Sequence, residues 1–259
     1  MLLSEATERS GAEAADWLGE LPRETLQAML DAGREALEWR RILAKSGDNL
    51  VGEVLKHEGP FYILDHYPTG DVFDPESHAQ WYYHAHDKKD RPGEHGHFHT
   101  FMRGGGMPEG VQPALLPDFA PKANKHDLVC HLIAISMDRA GWPIGLFTTN
   151  RWVTGETWYA AHDVSAMLDR FDLKMGKPSW PVNRWLSAML ILFRPQIEEL
   201  LQQRDERISA WQREHSEVEN VYEDRRLEVT SQIPISVEAQ VELLGRRLGT
   251  TPDRSPGHR

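Results

Sequence analysis

At 259 residues, with 40% apolar content and nine tryptophans, the chain is long enough to bury a substantial core and does not have the composition of a disordered segment. Its net charge of −11 disfavours nonspecific attachment to nucleic acid or an anionic membrane, and a single cysteine, Cys130, excludes an intramolecular disulfide. The opening "MLLSEATERS" lacks the features of a secretory signal, and no apolar run reaches the roughly 18 residues of a membrane span, so a cytoplasmic protein is expected.

Taken in chain order, residues 11–44 read as helical, with strong helix formers between Leu26, Leu30 and Leu37; Pro22 opens a second helix and Gly47 lies near its end. From about 50 to 160, β-branched and aromatic runs are broken by Gly and Pro. "FYILDHY", "QWYYHAH", "HGHFHTF", "DLVCHLIAISM" and "PIGLFTTNRWV" read as strands, with "MDRAGWP" (137–143) turning the last two into a hairpin. Cys130, among apolar neighbours, reads as a small buried hydrophobe. The Gly- and Pro-rich stretch 103–124 reads as a flap or lid. After 160 the chain is helical again: a short helix in "HDVSAMLDRFDL", then a long one with a break or restart at Pro195. Leu186, Leu190, Phe193, Ile197 and Leu200 repeat at 4-3-4-3 spacing, which suits either a core-facing stripe or a coiled-coil dimer seam.

Five of the thirteen histidines fall in "WYYHAHDKKDRPGEHGHFHTF". Alternation along a strand puts Tyr82, His84 and His86 on one face, and His95, His97, His99 and Phe101 on one face of the next strand. An antiparallel pairing of His86 with His97 sets His84 opposite His99. A slip of two sets His86 opposite His95 and His84 opposite His97. Either register gathers imidazoles on one side, where opposed Cβ atoms stand about 5 Å apart. Neutral imidazoles without a cysteine pattern suit a divalent metal, Fe2+ or Zn2+, with room for water or substrate. The expected ligands are His84, His86, His97 and His99.

Tyr82 on the ligand face, His131 in mid-strand, and Arg151 with Glu156 in "NRWVTGETW" are the candidate catalytic helpers. Each also has a plain structural reading: a space-filling phenol, a satisfied core histidine, an ordinary ion pair. Glu94 reads as a ligand or as a solvated loop residue beside Lys88, Lys89 and Arg91, and at most one of Asp65 and His66 faces the site.

The H-x-H followed by a Glu and a Gly-rich turn resembles the first metal motif of cupins, but Glu94 comes eight residues after His86, and Phe147 and Thr148 stand where the second motif would place its histidine. As a whole, the block from "HYPTGDVF" through "YYHAH", "EHGHFHTF" and "GLFTTNRWVTGETW" resembles an uncharacterised bacterial family, one of the domains of unknown function, over roughly residues 50–175. That resemblance implies a soluble bacterial protein and no activity.

The expected fold is α+β: a central antiparallel sheet or cupin-like barrel flanked by N-terminal and long C-terminal helices. Four segments are expected: helical 1–48, β-rich 49–175 with the histidine hairpin, helical 176–248, and a disordered tail at 249–259. The expected function is a mononuclear metalloprotein acting on a small molecule, as an Fe(II)-dependent oxygenase or a Zn-dependent hydrolase. The alternative is a metal-sensing or interaction protein that assembles, as a homodimer, through its C-terminal helix.

Overall fold

The computed structural model describes residues 21–250, apart from 88, 90, 119, 121 and 123. The expected helix ahead of Pro22 and nearly all of the expected tail lie outside the described residues. Helix α1 (Arg23–Ala44) follows Pro22, and its Leu26, Met29, Leu30, Gly33 and Ala36 form the buried stripe that the helical period predicts. At Gly33 α1 packs closely on its neighbours. A Cβ there would stand 2.4 Å from Val241 Cγ2 and 2.9 Å from Leu192 Cδ1. The short α2 (Leu50–Leu55) is capped by Asn49, whose side chain accepts the Gly52 N–H.

Six strands follow in a single antiparallel sheet in chain order: β1 (Tyr67–Phe73), β2 (Ala79–His84), β3 (Gly96–Arg103), β4 (Val129–Met137), β5 (Pro143–Thr149) and β6 (Val229–Pro234). It is an open sheet with β1 and β6 at its edges, so the sheet is realised and the cupin-like barrel is not. Between β5 and β6 the chain makes α3 (Arg151–Thr154), α4 (Ala161–Leu168), α5 (Trp180–Leu192) and α6 (Arg194–Glu214), and after β6 it closes with α7 (Val237–Leu248). The break between α5 and α6 falls at Phe193, with Pro195 in the first turn of α6, where its missing N–H costs nothing.

Helices α5 and α6 cover the face that carries Trp81, Phe98 and Thr148. The Trp81 indole donates to Asn183 Oδ1 of α5 at 2.9 Å, Phe98 tilts against Trp185, and the Thr148 hydroxyl meets Ser231, which donates to Leu200 O of α6. Leu186, Leu190, Phe193, Ile197 and Leu200 are all buried in this core, so the 4-3-4-3 stripe is occupied within the chain. One apolar cluster runs from Leu26 of α1 through the sheet to Leu248 of α7.

Two expectations fail locally. "FYIL" (61–64) is not a strand; it crosses the end of β2 as an exposed strap, with Leu64 at φ +67° and its N–H given to Ala85 O. "NRWV" leaves the sheet as α3, because the Asn150 side chain accepts the Arg151 N–H and starts a helical turn. Among its described residues, the 103–124 stretch is pinned by backbone bonds to His78, Leu128 and Trp158.

Candidate metal centre

The opposite face of the sheet carries Tyr82, His84, His97, His99 and Phe147. His84 pairs with His97 and Tyr82 with His99, the register slipped by two from the first alternative. Gly96 makes this close approach feasible: a Cβ there would lie 2.5 Å from His84 O and 2.6 Å from the Tyr83 hydroxyl. His84, His97 and His99 each offer one nitrogen, and the three atoms lie within 4.8 Å of one another. A tetrahedral metal with bonds of about 2.1 Å needs nitrogens about 3.4 Å apart. The His84 Nε2 to His97 Nε2 separation of 2.7 Å is a hydrogen-bond distance, about 0.7 Å short of that value, so the two rings part slightly when both ligate one ion.

The outward nitrogens are held. His97 Nδ1 donates to Glu94 Oε1 at 2.7 Å, which leaves Nε2 with its lone pair inward. His99 Nδ1 is 2.9 Å from His131 Nε2, and His99 Nε2 is buried with no partner among the described residues. Outer partners that orient ring and tautomer in this way are the usual companions of metal-ligating imidazoles. Burial sets the protonation. It pushes His84 down to about 2 and His131 down to about 3, and it drives His97 and His99 below the ordinary imidazole value, reinforced for His84 and His99 by the charge of neighbouring histidines. Burial alone would raise the Glu94 carboxyl. The hydrogen bond from His97, the charge of His97, Ser136 and Arg91 outweigh burial and hold Glu94 below its usual range. The centre therefore presents neutral imidazoles backed by one carboxylate.

A family model described as a domain of unknown function, DUF6969, matches residues 30–235. The chain belongs to the DUF6969 family. Comparison with curated proteins and with solved structures gives no match. The matched region reaches beyond 50–175 to include most of α1 and all of β6, the elements that complete the core and the sheet around the histidine face of this DUF6969 chain.

The sequence-predicted residues divide into three groups. His84, His97 and His99 form the cluster; His86 lies just past the end of β2, its ring 5.0 Å from that of His84 and 5.3 Å from that of His97, outside the three-nitrogen group. Tyr82 and His131 adjoin the cluster. The Tyr82 ring is 5.1 Å from His99 and is covered by His66, stacked at 3.6 Å; burial raises its phenol. His131 reaches this face through a bulge: Thr100 pairs with Ile133 but Phe101 with His131, and the extra residue turns the imidazole towards His99. Glu156 and Arg151 make their bonds elsewhere. Glu156 accepts the His131 backbone N–H at 2.6 Å and is raised to about 7 by burial, while Arg151 pairs with Asp118 and Glu223. His95 does not face the cluster; its Nδ1 meets the Tyr83 hydroxyl at 2.6 Å.

Three features depart from the sequence reading or add to it. Glu94 is not a solvated loop residue; its side chain is 8% exposed and bonded to His97. Phe147 stands edge-on 5.0 Å from His97, under the Arg91 guanidinium, so the position compared with the second cupin histidine does border the site, but with an apolar ring. A cavity of about 610 Å³ lies at the His86 and Glu94 end of the hairpin, walled by Phe61, Ile63, Ala85, His86, Glu94 and Arg139 among others, with Glu94 linking it to His97. Its signal lay in "FYIL", whose apolar side chains have no reason to be exposed in a strand.

Among the described residues no helix is long and apolar enough to cross a membrane. Cys130 is buried, and burial raises its thiol far above the reactive range, as a packing residue requires.

Proposed function

We propose that this DUF6969 chain is a mononuclear zinc enzyme that hydrolyses a small molecule, with the metal held by His84, His97 and His99. The observation that carries the reading is His99 Nε2: a buried ring nitrogen with no partner among the described residues, on a ring that offers one nitrogen within 4.8 Å of nitrogens of His84 and His97. Leaving such an atom unsatisfied costs about 1–3 kcal/mol, and a cation at that point removes the cost. Three neutral nitrogen ligands without cysteine are the donor set of catalytic rather than structural zinc, and zinc so held would supply a bound water of lowered pKa.

The chain's own residues have separable roles. Glu94 and His131 fix the ligand rings by taking their outer N–H groups. His86 faces the open side, between the ligands and the cavity. Tyr82 and Phe147 exclude water from the flanks of the cluster. A cupin-like barrel would favour iron, and the sheet is open instead. The cavity near Glu94 favours an enzyme over a sensor, and the helical stripe is occupied within the chain's own core, which favours the enzyme over assembly through that stripe.

Elemental analysis of protein purified without an affinity tag tests the reading. About one zinc per chain is expected, lost in His84→Ala and in His97→Ala. Stoichiometric iron would overturn the hydrolytic half, and the same trace metal in all three proteins would overturn the centre itself.

A further inference from the structure

We propose that the 610 Å³ cavity takes a small organic anion with an apolar, ring-sized body, its charge held by Arg139 and its body lying along Phe61 and Ile63. As a statement of substrate class this rests on the catalytic reading above; as a statement of binding it stands alone. A volume of this size lies within the range of small-molecule sites. One wall is apolar and pre-arranged. The Phe61 ring stacks on Tyr67 at 5.0 Å and on His95 at 5.6 Å, and Ile63, half exposed, extends that wall towards His86. Exposed apolar groups beside a cavity are costly unless a ligand covers them.

The charged groups in the wall differ in whether they are already committed. Glu94 takes the His97 N–H and lies 3.9 Å from Arg91, while Asp87 accepts the Lys89 N–H. Arg139 has neither an ion pair nor a hydrogen bond from its side chain among the described residues. It sits on a rigid turn: Asp138 Oδ1 accepts the N–H groups of Ala140 and Trp142, each at 2.8 Å, and Gly141 adopts φ +77°. A fixed turn presenting an uncommitted guanidinium suits a carboxylate or similar anion, which it can grip with two parallel N–H bonds. A ligand anchored there, with its body on Phe61, lies against His86 and Glu94, the cavity residues nearest in contact to the cluster.

Calorimetric titration of the full chain, zinc-loaded and zinc-free, with phenylacetate, 2-phenylethanol and acetate tests this. Phenylacetate should bind at least tenfold more tightly than either of the others in both forms. Arg139→Gln should weaken phenylacetate about tenfold, Arg139→Lys less, and Ile63→Asn should weaken it while zinc content and circular dichroism stay unchanged. Acetate binding as well as phenylacetate, 2-phenylethanol binding as well as phenylacetate, or Arg139→Gln without effect would each overturn the proposal. Arg139-dependent binding to a protein that takes up no zinc would uphold this site and sink the metalloenzyme reading.

Discussion

His97 is constrained at both ring nitrogens, by Glu94 on the outside and by His84 across the cluster. A carboxylate behind a ligating imidazole fixes its tautomer and raises its basicity, and losing one typically costs 10–100-fold in metal affinity. Glu94→Gln should therefore weaken zinc binding by about that factor, read by competition with a chromophoric chelator, with folding intact. His86→Ala should instead keep about one zinc per chain and lose turnover or exogenous-ligand binding, because its ring stands on the cavity side, outside the three-nitrogen group. Loss of the metal in His86→Ala would make it a fourth ligand and close the site. Gly96→Ala probes the scaffold: a methyl group 2.5 Å from His84 O must part β2 from β3 at the cluster, so zinc affinity should fall further than stability does.

Between elements, the Trp81–Asn183 bond ties the sheet to α5. The Asn183 amide also donates to Met175 O and Lys177 O, so one buried side chain satisfies three groups. Asn183→Leu orphans all of them and should cost about 3 kcal/mol or more in chemical denaturation; a loss under 1 kcal/mol would mean that water replaces it. Gly33→Ala tests the α1–α7 contact. Helix propensity alone predicts a gain of about 1 kcal/mol, but Val241 is stiff at χ1 and 2.4 Å away, so a net loss is expected. These contacts also mark where the sequence stopped being informative. Alternation in "QWYYHAH" and "HGHFHTF" and the turn at 137–143 made the hairpins legible, because side-chain period and turn chemistry are local. β6 was hidden, since "VTSQIP" is short and lacks a clean alternation and its pairing with β5 bridges some 80 residues that include four helices. His131 could not be assigned a face because the bulge opposite Thr100 and Phe101 is a property of two strands together. Glu94 looked solvated for a similar reason: in sequence its neighbours are charged, and only the fold brings His97 against it.

At the scale of the whole molecule, four buried imidazoles on one sheet face make the fold sensitive to acid. His84, His97, His99 and His131 all have folded values below the 6.5 of a free imidazole, so below that pH the unfolded chain takes up protons that the native state refuses. Stability must then fall as pH drops from about 6.5, by roughly 1.4 kcal/mol per histidine per pH unit, until each folded value is reached. Glu156 works in the opposite sense. Its raised value, about 7, means that its ionisation opposes folding between its ordinary 4.5 and 7, so acid relieves that one cost. With His84, His99 and His131 counted in full against Glu156, the net uptake on unfolding near pH 5.5 is about two protons, a slope of roughly 3 kcal/mol per pH unit, and His97 adds to it in the same direction. Against a total of about 5–15 kcal/mol for a domain, that slope is enough to unfold the zinc-free protein between about pH 6 and pH 4. Zinc should raise the urea midpoint above pH 6.5, by about 2.7 kcal/mol at a hundredfold excess over its dissociation constant, and the increment should disappear with acid as the ligands compete for protons. Urea midpoints measured from pH 8 to pH 4.5, with zinc and with chelator, check both parts. A zinc-free curve that stays flat through this range would mean that the histidines charge freely within the fold, which is incompatible with their burial.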